Sequence, residues 1–230
     1  MKNISLIIFF LFNLSLCEAQ NNMRIIYVYD ALCGWCYGFS PVMTQFEAKY
    51  KDSLNFEVLS GGMITGERIG PIGEVAPYIS WAYKEVEQAT GVRFGDKFLN
   101  HTLKDGKAIF TSIPPAVALS LFKHLQPQKV VHFASELQKA IYFEGIEPEN
   151  LSAYGQIAAK FGINPDDFVS KMHEDFYTKA AEADFKKSAT LTVNGFPTIL
   201  LERNGVYHII GNGYMSLKTL ENNYLTAKNK

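Results

Sequence analysis

The sequence predicts an α/β fold in the order βαβ … ββα, with an all-helical domain inserted between its two halves. Three observations predict it. The dense apolar run Ile25-Ile26-Tyr27-Val28-Tyr29 is followed by helical spacing at Phe39, Val42, Met43, Phe46 and Tyr50, then by a second apolar stretch at Asn55–Ser60. Helical periodicity then holds for over a hundred residues. Finally, two apolar runs flank Asn204-Gly205 and precede a closing helix. Neither β portion makes a sheet with two covered faces by itself, so the helices between them read as an insertion.

Taken in order, strand one runs roughly from Arg24 to Tyr29, is apolar on both faces and belongs at the centre of its sheet. The helix after it contains Pro41, which removes a backbone donor and should kink it unless it lies in the first turn. Phe56, Val58 and Leu59 mark a strand over Asn55–Ser60, completing a right-handed βαβ unit. Gly61-Gly62 then predicts either a simple loop or a tight turn with close backbone approach. Helices are predicted over Pro77–Ala89, closed by Gly91, then Phe94–Leu103, Pro114–Phe122, Lys129–Phe143 and Glu149–Phe161. Asn164-Pro165-Asp166-Asp167 supplies a cap, a first-turn proline and acids for one more, through Phe168, Met172 and Phe176 and onward to Ala189. Asn204-Gly205, between Thr198–Glu202 and Val206–Ile210, calls for a hairpin with a type I′ turn. Ser216 caps a last helix with Leu217, Leu220 and Tyr224 inward. Residues 20–63 and 178–230 then form one discontinuous domain around a helical insertion over 64–177.

Residues 1–19 read as a signal peptide. Lys2 gives the basic start, Ile4 to Leu16 the apolar core, and Cys17-Glu18-Ala19 the small-x-small cleavage site. An alternative reading makes Cys17 a lipidated residue and tethers the protein to a membrane, although Leu16 before it is larger than such processing favours. Soluble export, into a periplasm or an equivalent compartment, is preferred. With 47% hydrophobic and 13% aromatic residues the chain can bury a sizeable core. Its 22 basic and 23 acidic side chains set up no field for nucleic acid or anionic lipid.

Cysteine usage is more informative. Beyond the signal the chain holds only Cys33 and Cys36, spaced C-x-x-C at the junction of strand one and its helix. With Cys33 capping that helix, Cys36 lies on the first turn and the sulfurs can bond. The helix's unpaired N–H groups and positive dipole end favour a thiolate at Cys33, the attacking group, and leave Cys36 as the resolving thiol. Zinc would need two more ligands, and His101, His124, His132, His173 and His208 are scattered. A purely structural disulfide gains little from so short a loop. In an exported protein, where disulfides persist, the pair is there for exchange. No metal and no cofactor beyond a redox-active Cys33–Cys36 disulfide is expected.

The chain resembles DsbA-like thiol–disulfide oxidoreductases, which insert a helical domain into a thioredoxin fold. Four features carry the resemblance over nearly all of the mature chain: Cys33-Gly34-Trp35-Cys36 after strand one, the inserted helices, Gly195-Phe196-Pro197-Thr198 before a hairpin, and the closing helix. Pro41, eight residues after Cys33, lies where thioredoxins also place a helix-kinking proline. Asp30-x-x-Cys33-x-Trp35-Cys36-Tyr37 is similar to the branch shared with 2-hydroxychromene-2-carboxylate isomerases and kappa-class glutathione transferases. Those relatives commonly carry serine for the first cysteine, and the two thiols kept here favour redox work.

The resemblance implies a protein disulfide oxidase, reductase or isomerase acting on cysteine-containing exported proteins, together with a redox partner protein. It implies a cis Pro197 beside the cysteine pair, with Trp35, Phe196 and Pro197 contacting substrate through the exposed backbone at Phe196. The bland alternative is a trans proline that starts a strand. Relatives often bury an acid six residues before the first cysteine, where this chain has Tyr27; Asp30 is then the nearest carboxylate for proton transfer, or simply a strand-end cap. Only Gln20 to Met23 precede strand one in the mature chain, which leads us to expect a monomer. Two other readings compete: a glutathione-dependent small-molecule isomerase or transferase, and a non-catalytic binding module on the same fold.

Overall fold

The computed structural model describes residues 23–191 and 193–229. The segment read as a signal peptide, with Cys17, lies outside them. Strand β1 (Met23–Tyr29) leads to helix α1 (Gly34–Tyr50) and strand β2 (Asn55–Ser60). After the helical region come β5 (Thr198–Arg203), β6 (Val206–Asn212) and α8 (Leu217–Lys228). The sheet order is β2-β1-β5-β6, with β1 parallel to β2 and the β1–β5 and β5–β6 pairs antiparallel. β1 is therefore central, as its two-faced apolar run requires. Ile25, Tyr27 and Tyr29 face the main core with Phe39, Met43 and Phe46 of α1, whereas Ile26 and Val28 join Leu59 and Leu200 on the other side.

The inserted region contains α2 (Ala76–Thr90), α3 (Ile113–Leu125), α4 (Val130–Tyr142), α5 (Leu151–Ala159), α6 (Pro165–Met172) and α7 (Asp175–Thr190). Gly91, in the left-handed region at φ 78°, ends α2. The side chain of Asn164 accepts from the backbone N–H groups of Asp166 and Asp167, so the cap, proline and acids work together at the start of α6. Asn204 (φ 52°) and Gly205 (φ 80°) both take positive φ, the type I′ condition. Ser216 caps α8 by accepting from the Thr219 N–H.

Three local expectations need correction. The helix expected from Asn164 to Ala189 is two helices, because the chain turns at His173–Glu174 and restarts at Asp175. Acidic side chains at the second start compensate the dipole there, so a continuous apolar stripe did not imply a continuous backbone. The helix expected over Phe94–Leu103 forms, shifted by two residues to 96–105, with its middle, Phe98–Leu103, wound more widely than an α-helix. Glu149 lies outside α5, whose cap is Asn150 accepting from Ala153 N–H. The two-residue strands β3 (Gly70–Pro71) and β4 (Ile109–Phe110) pair with each other and have no periodicity long enough to read. Among the described residues no helix is long and apolar enough to cross a membrane.

Candidate active site

The end of β1 is held by a single carboxylate. Asp30 Oδ1 accepts from the Leu32 N–H at 2.9 Å and from Ser112 Oγ at 2.9 Å, while Oδ2 accepts from the Met63 N–H at 2.8 Å. Ser112 in turn accepts from the Ile64 N–H at 3.0 Å, so Asp30 fixes both the loop after β2 and the entry to α3. Asp30 is buried, and burial raises its pKa above the ordinary carboxylate range against the pull of these donors. It does not cap α1.

Cys33 caps α1. Its backbone is extended (φ −92°, ψ 112°), and its Sγ accepts from the Cys36 N–H at 3.4 Å, using one of the helix's free donors. The same sulfur faces the Phe196 carbonyl at 3.6 Å as a thiol donor. The Phe196–Pro197 peptide is cis. Sequence-distant Cys33, Phe196 and Pro197 thus come together at one end of the sheet. Trp35, on the first turn of α1, is half-buried next to Cys33. Gly61 explains how closely the loops approach: a Cβ there would sit 2.1 Å from the Phe196 ring.

Both cysteines are free thiols, but they differ in environment. Cys33 is 7% exposed and Cys36 0%. Burial first, then the neighbouring Cys33, pushes the Cys36 thiol well above its ordinary pKa. Alkylation of the reduced native protein is therefore expected to add one group, at Cys33, and a second only in denaturant. Intact mass and peptide mapping check this; equal labelling of both native thiols would contradict the assignment of outer and inner sulfur.

Aromatic residues clamp the site from the helical side. Tyr142 of α4 donates from its hydroxyl to the Leu32 carbonyl at 2.5 Å, and its ring packs against Tyr37, Phe94 and Phe98. Burial raises the Tyr142 pKa well above its ordinary value, so it stays a neutral donor. Tyr37 donates to the Arg93 carbonyl at 2.8 Å, and burial and Glu87 push its pKa up to about 12. The buried Gln138 amide lies against the backbone of Asp30, Cys36 and Tyr37. Sequence reasoning singled out none of Tyr142, Ser112, Gln138 or Met63. Their roles arise from contacts across the fold, and only the helix-start position of Ser112 left a local signal. No group of metal-ligating side chains occurs among the described residues.

Residues 24–225 match the model of the DSBA-like thioredoxin domain. The chain belongs to that family. No curated protein matches it significantly. Among solved structures it is similar to a proposed protein disulfide isomerase from Nitrosomonas europaea, at 24% identity and a TM-score of 0.80 over 90% of this chain and 98% of that one. The cytosolic disulfide reductase DsbM from Pseudomonas aeruginosa matches at 24% identity and a TM-score of 0.72, over 90% and 97% of the two chains. A 2-hydroxychromene-2-carboxylate isomerase matches at 13% identity and a TM-score of 0.60, over 90% and 95%. These likenesses establish the DsbA-like thioredoxin fold with its helical insertion.

Proposed function

We propose that this protein is an exported thiol–disulfide oxidoreductase that exchanges disulfides with cysteine-containing proteins. The observation carrying the reading is the pair itself: Cys33 Sγ at the start of α1, accepting from Cys36 N–H, with Cys36 sealed behind it. In the reducing direction Cys33 thiolate attacks one sulfur of a substrate disulfide. The substrate S–S bond breaks, a Cys33–substrate bond forms, and the departing sulfur takes up a proton. Cys36 then loses its proton and attacks Cys33 Sγ, releasing the second substrate thiol. Two electrons pass from the dithiol to the substrate; oxidation of a substrate is the reverse, followed by reoxidation through a redox partner protein. No cofactor beyond the Cys33–Cys36 pair takes part.

In this reading Asp30 positions the loops beside the pair and, as the nearest carboxylate in sequence, is the proposed acceptor of the Cys36 proton. Trp35, Phe196 and Pro197 border the attacking sulfur, where an extended substrate backbone would lie. Pro197 offers no N–H of its own, so the Phe196 carbonyl is the acceptor on that edge. Export rests on residues 1–19, with Cys17 as the alternative lipid tether, and the protein acts as a monomer.

Reduction of a protein disulfide such as insulin's is expected to be fully dependent on Cys33, with Cys33→Ser at background. Turnover by folded Cys33→Ser would remove the reading. A glutathione-dependent isomerase or transferase is the second reading, favoured by the likeness to 2-hydroxychromene-2-carboxylate isomerase and by a DsbM structure solved with GSH. Glutathione turnover that survives loss of Cys36 would select it instead.

A further inference from the structure

A cavity of about 270 Å³ opens beside Cys33. Its walls come from two parts of the chain: Leu32 and Trp35 next to the reactive sulfur, Ile64 of the loop after β2, and Ile79, Tyr83 and Phe94 from α2 and the segment following it. No Asp, Glu, Lys, Arg or His lines it, and neither do Phe196 or Pro197. It is thus separate from the backbone edge at Phe196, although both adjoin Cys33. At its lip α2 exposes Tyr78 (62%) and, one turn on, Trp81 (61%), with ring centroids 6.1 Å apart.

We propose that this cavity receives the apolar side chain next to the reacting cysteine of a polypeptide substrate, so that the inserted helix α2 sets substrate choice. The inference rests on the disulfide-exchange reading above. A sulfur bound to Cys33 tethers its own residue at the cavity's edge, and the adjacent Cα lies only about 3.8 Å farther along the substrate chain. An aromatic or long aliphatic side chain there leaves water for walls that are themselves apolar. A charged one loses hydration and finds no partner. Glutathione, with two carboxylates and an ammonium group, meets the same deficit.

The test uses the reduced full chain and four symmetric disulfides: those of acetyl-Phe-Cys-amide, acetyl-Ser-Cys-amide and acetyl-Asp-Cys-amide, and glutathione disulfide. Each reaction converts one disulfide and the Cys33/Cys36 dithiol into two small thiols and the protein disulfide. Rates are read by acid-quenched alkylation and mass spectrometry. The Phe compound is expected to react about tenfold or more faster than the Ser compound, with the Asp compound and glutathione disulfide slower still. Ala82 also lines the cavity. Ala82→Phe should fill the space and bring the Phe-to-Ser rate ratio toward one, with circular dichroism and melting confirming the fold; the smaller Ala82→Leu gives the same readout should the larger variant not fold. Equal rates for the four disulfides, or glutathione disulfide as the fastest, would overturn the subsite while leaving the oxidoreductase reading intact. An unchanged ratio in a folded Ala82 variant would overturn its placement in this cavity. Absence of exchange with all four would overturn both readings.

Discussion

The Cys36→Ala protein is expected to accumulate as mixed disulfides with its partners, visible on non-reducing gels as reductant-sensitive bands. The argument is one of access. Once Cys33 Sγ is bound to a substrate, the thiol placed to release it is Cys36, one helical turn away with its N–H already directed at Cys33 Sγ. A thiol on the same rigid turn has an effective concentration far above any free thiol, so its loss should lengthen the adduct's life on the order of a hundredfold or more. Cys36 is buried and Ala replaces a small side chain, so the fold should lose only about 1 kcal/mol. Cys33 keeps its position at the start of α1, and the first attack proceeds. Adding Cys33→Ser to the variant must abolish every adduct. Persistent adducts in that double variant would place the reacting sulfur elsewhere; adducts as short-lived in Cys36→Ala as in the parent would remove Cys36 from the resolving role.

The cysteine pair at the helix start, the central strand and the hairpin were legible because each depends on local chemistry. A two-faced apolar run can only be a covered strand, Asn-Gly has few turns open to it, and C-x-x-C at a helix start has few uses. Gly61 was legible only as a choice between a plain loop and a close approach. The Phe196 ring, 135 residues away in sequence, decides it. Tyr142 and Met63 gave no sign of their roles, because each acts through one hydrogen bond to a segment far away in the chain, and Ser112 acts through two such bonds. The break between α6 and α7 was hidden for a related reason. Phe168, Met172 and Tyr177 are all buried, so side-chain burial carries on across the two helices where the backbone turns. Spacing of apolar residues reports which side is covered, and only backbone partners report where a helix stops.

Asp30 carries the other large expected effect. Asp30→Ala is expected to lower stability by about 3 kcal/mol, since it strands the buried Leu32 and Met63 N–H groups and the Ser112 hydroxyl. The loop over Gly61–Ile64 should lose protection most, because Met63 and Ile64 are tied through this carboxylate and Ser112, and hydrogen exchange would localise the change. Asp30→Asn separates hydrogen bonding from charge. It keeps an oxygen for Leu32 and Ser112 but sets an amide donor against the Met63 N–H. The pH dependence follows from the raised pKa of the buried acid. Unfolded Asp30 releases its proton near the ordinary value of about 3.9, and folded Asp30 at a higher pH, so between the two the native state binds more protons. Its stabilising contribution is complete below the unfolded value and declines as pH rises through the folded one. Asparagine has no such titration. The stability gap between the parent and Asp30→Asn should therefore be widest in acid and narrow on the way to neutral pH, measured by denaturant melts at a series of pH values. A gap that widens toward neutrality would mean that the folded pKa lies below the unfolded one, and would overturn burial as the dominant influence on Asp30.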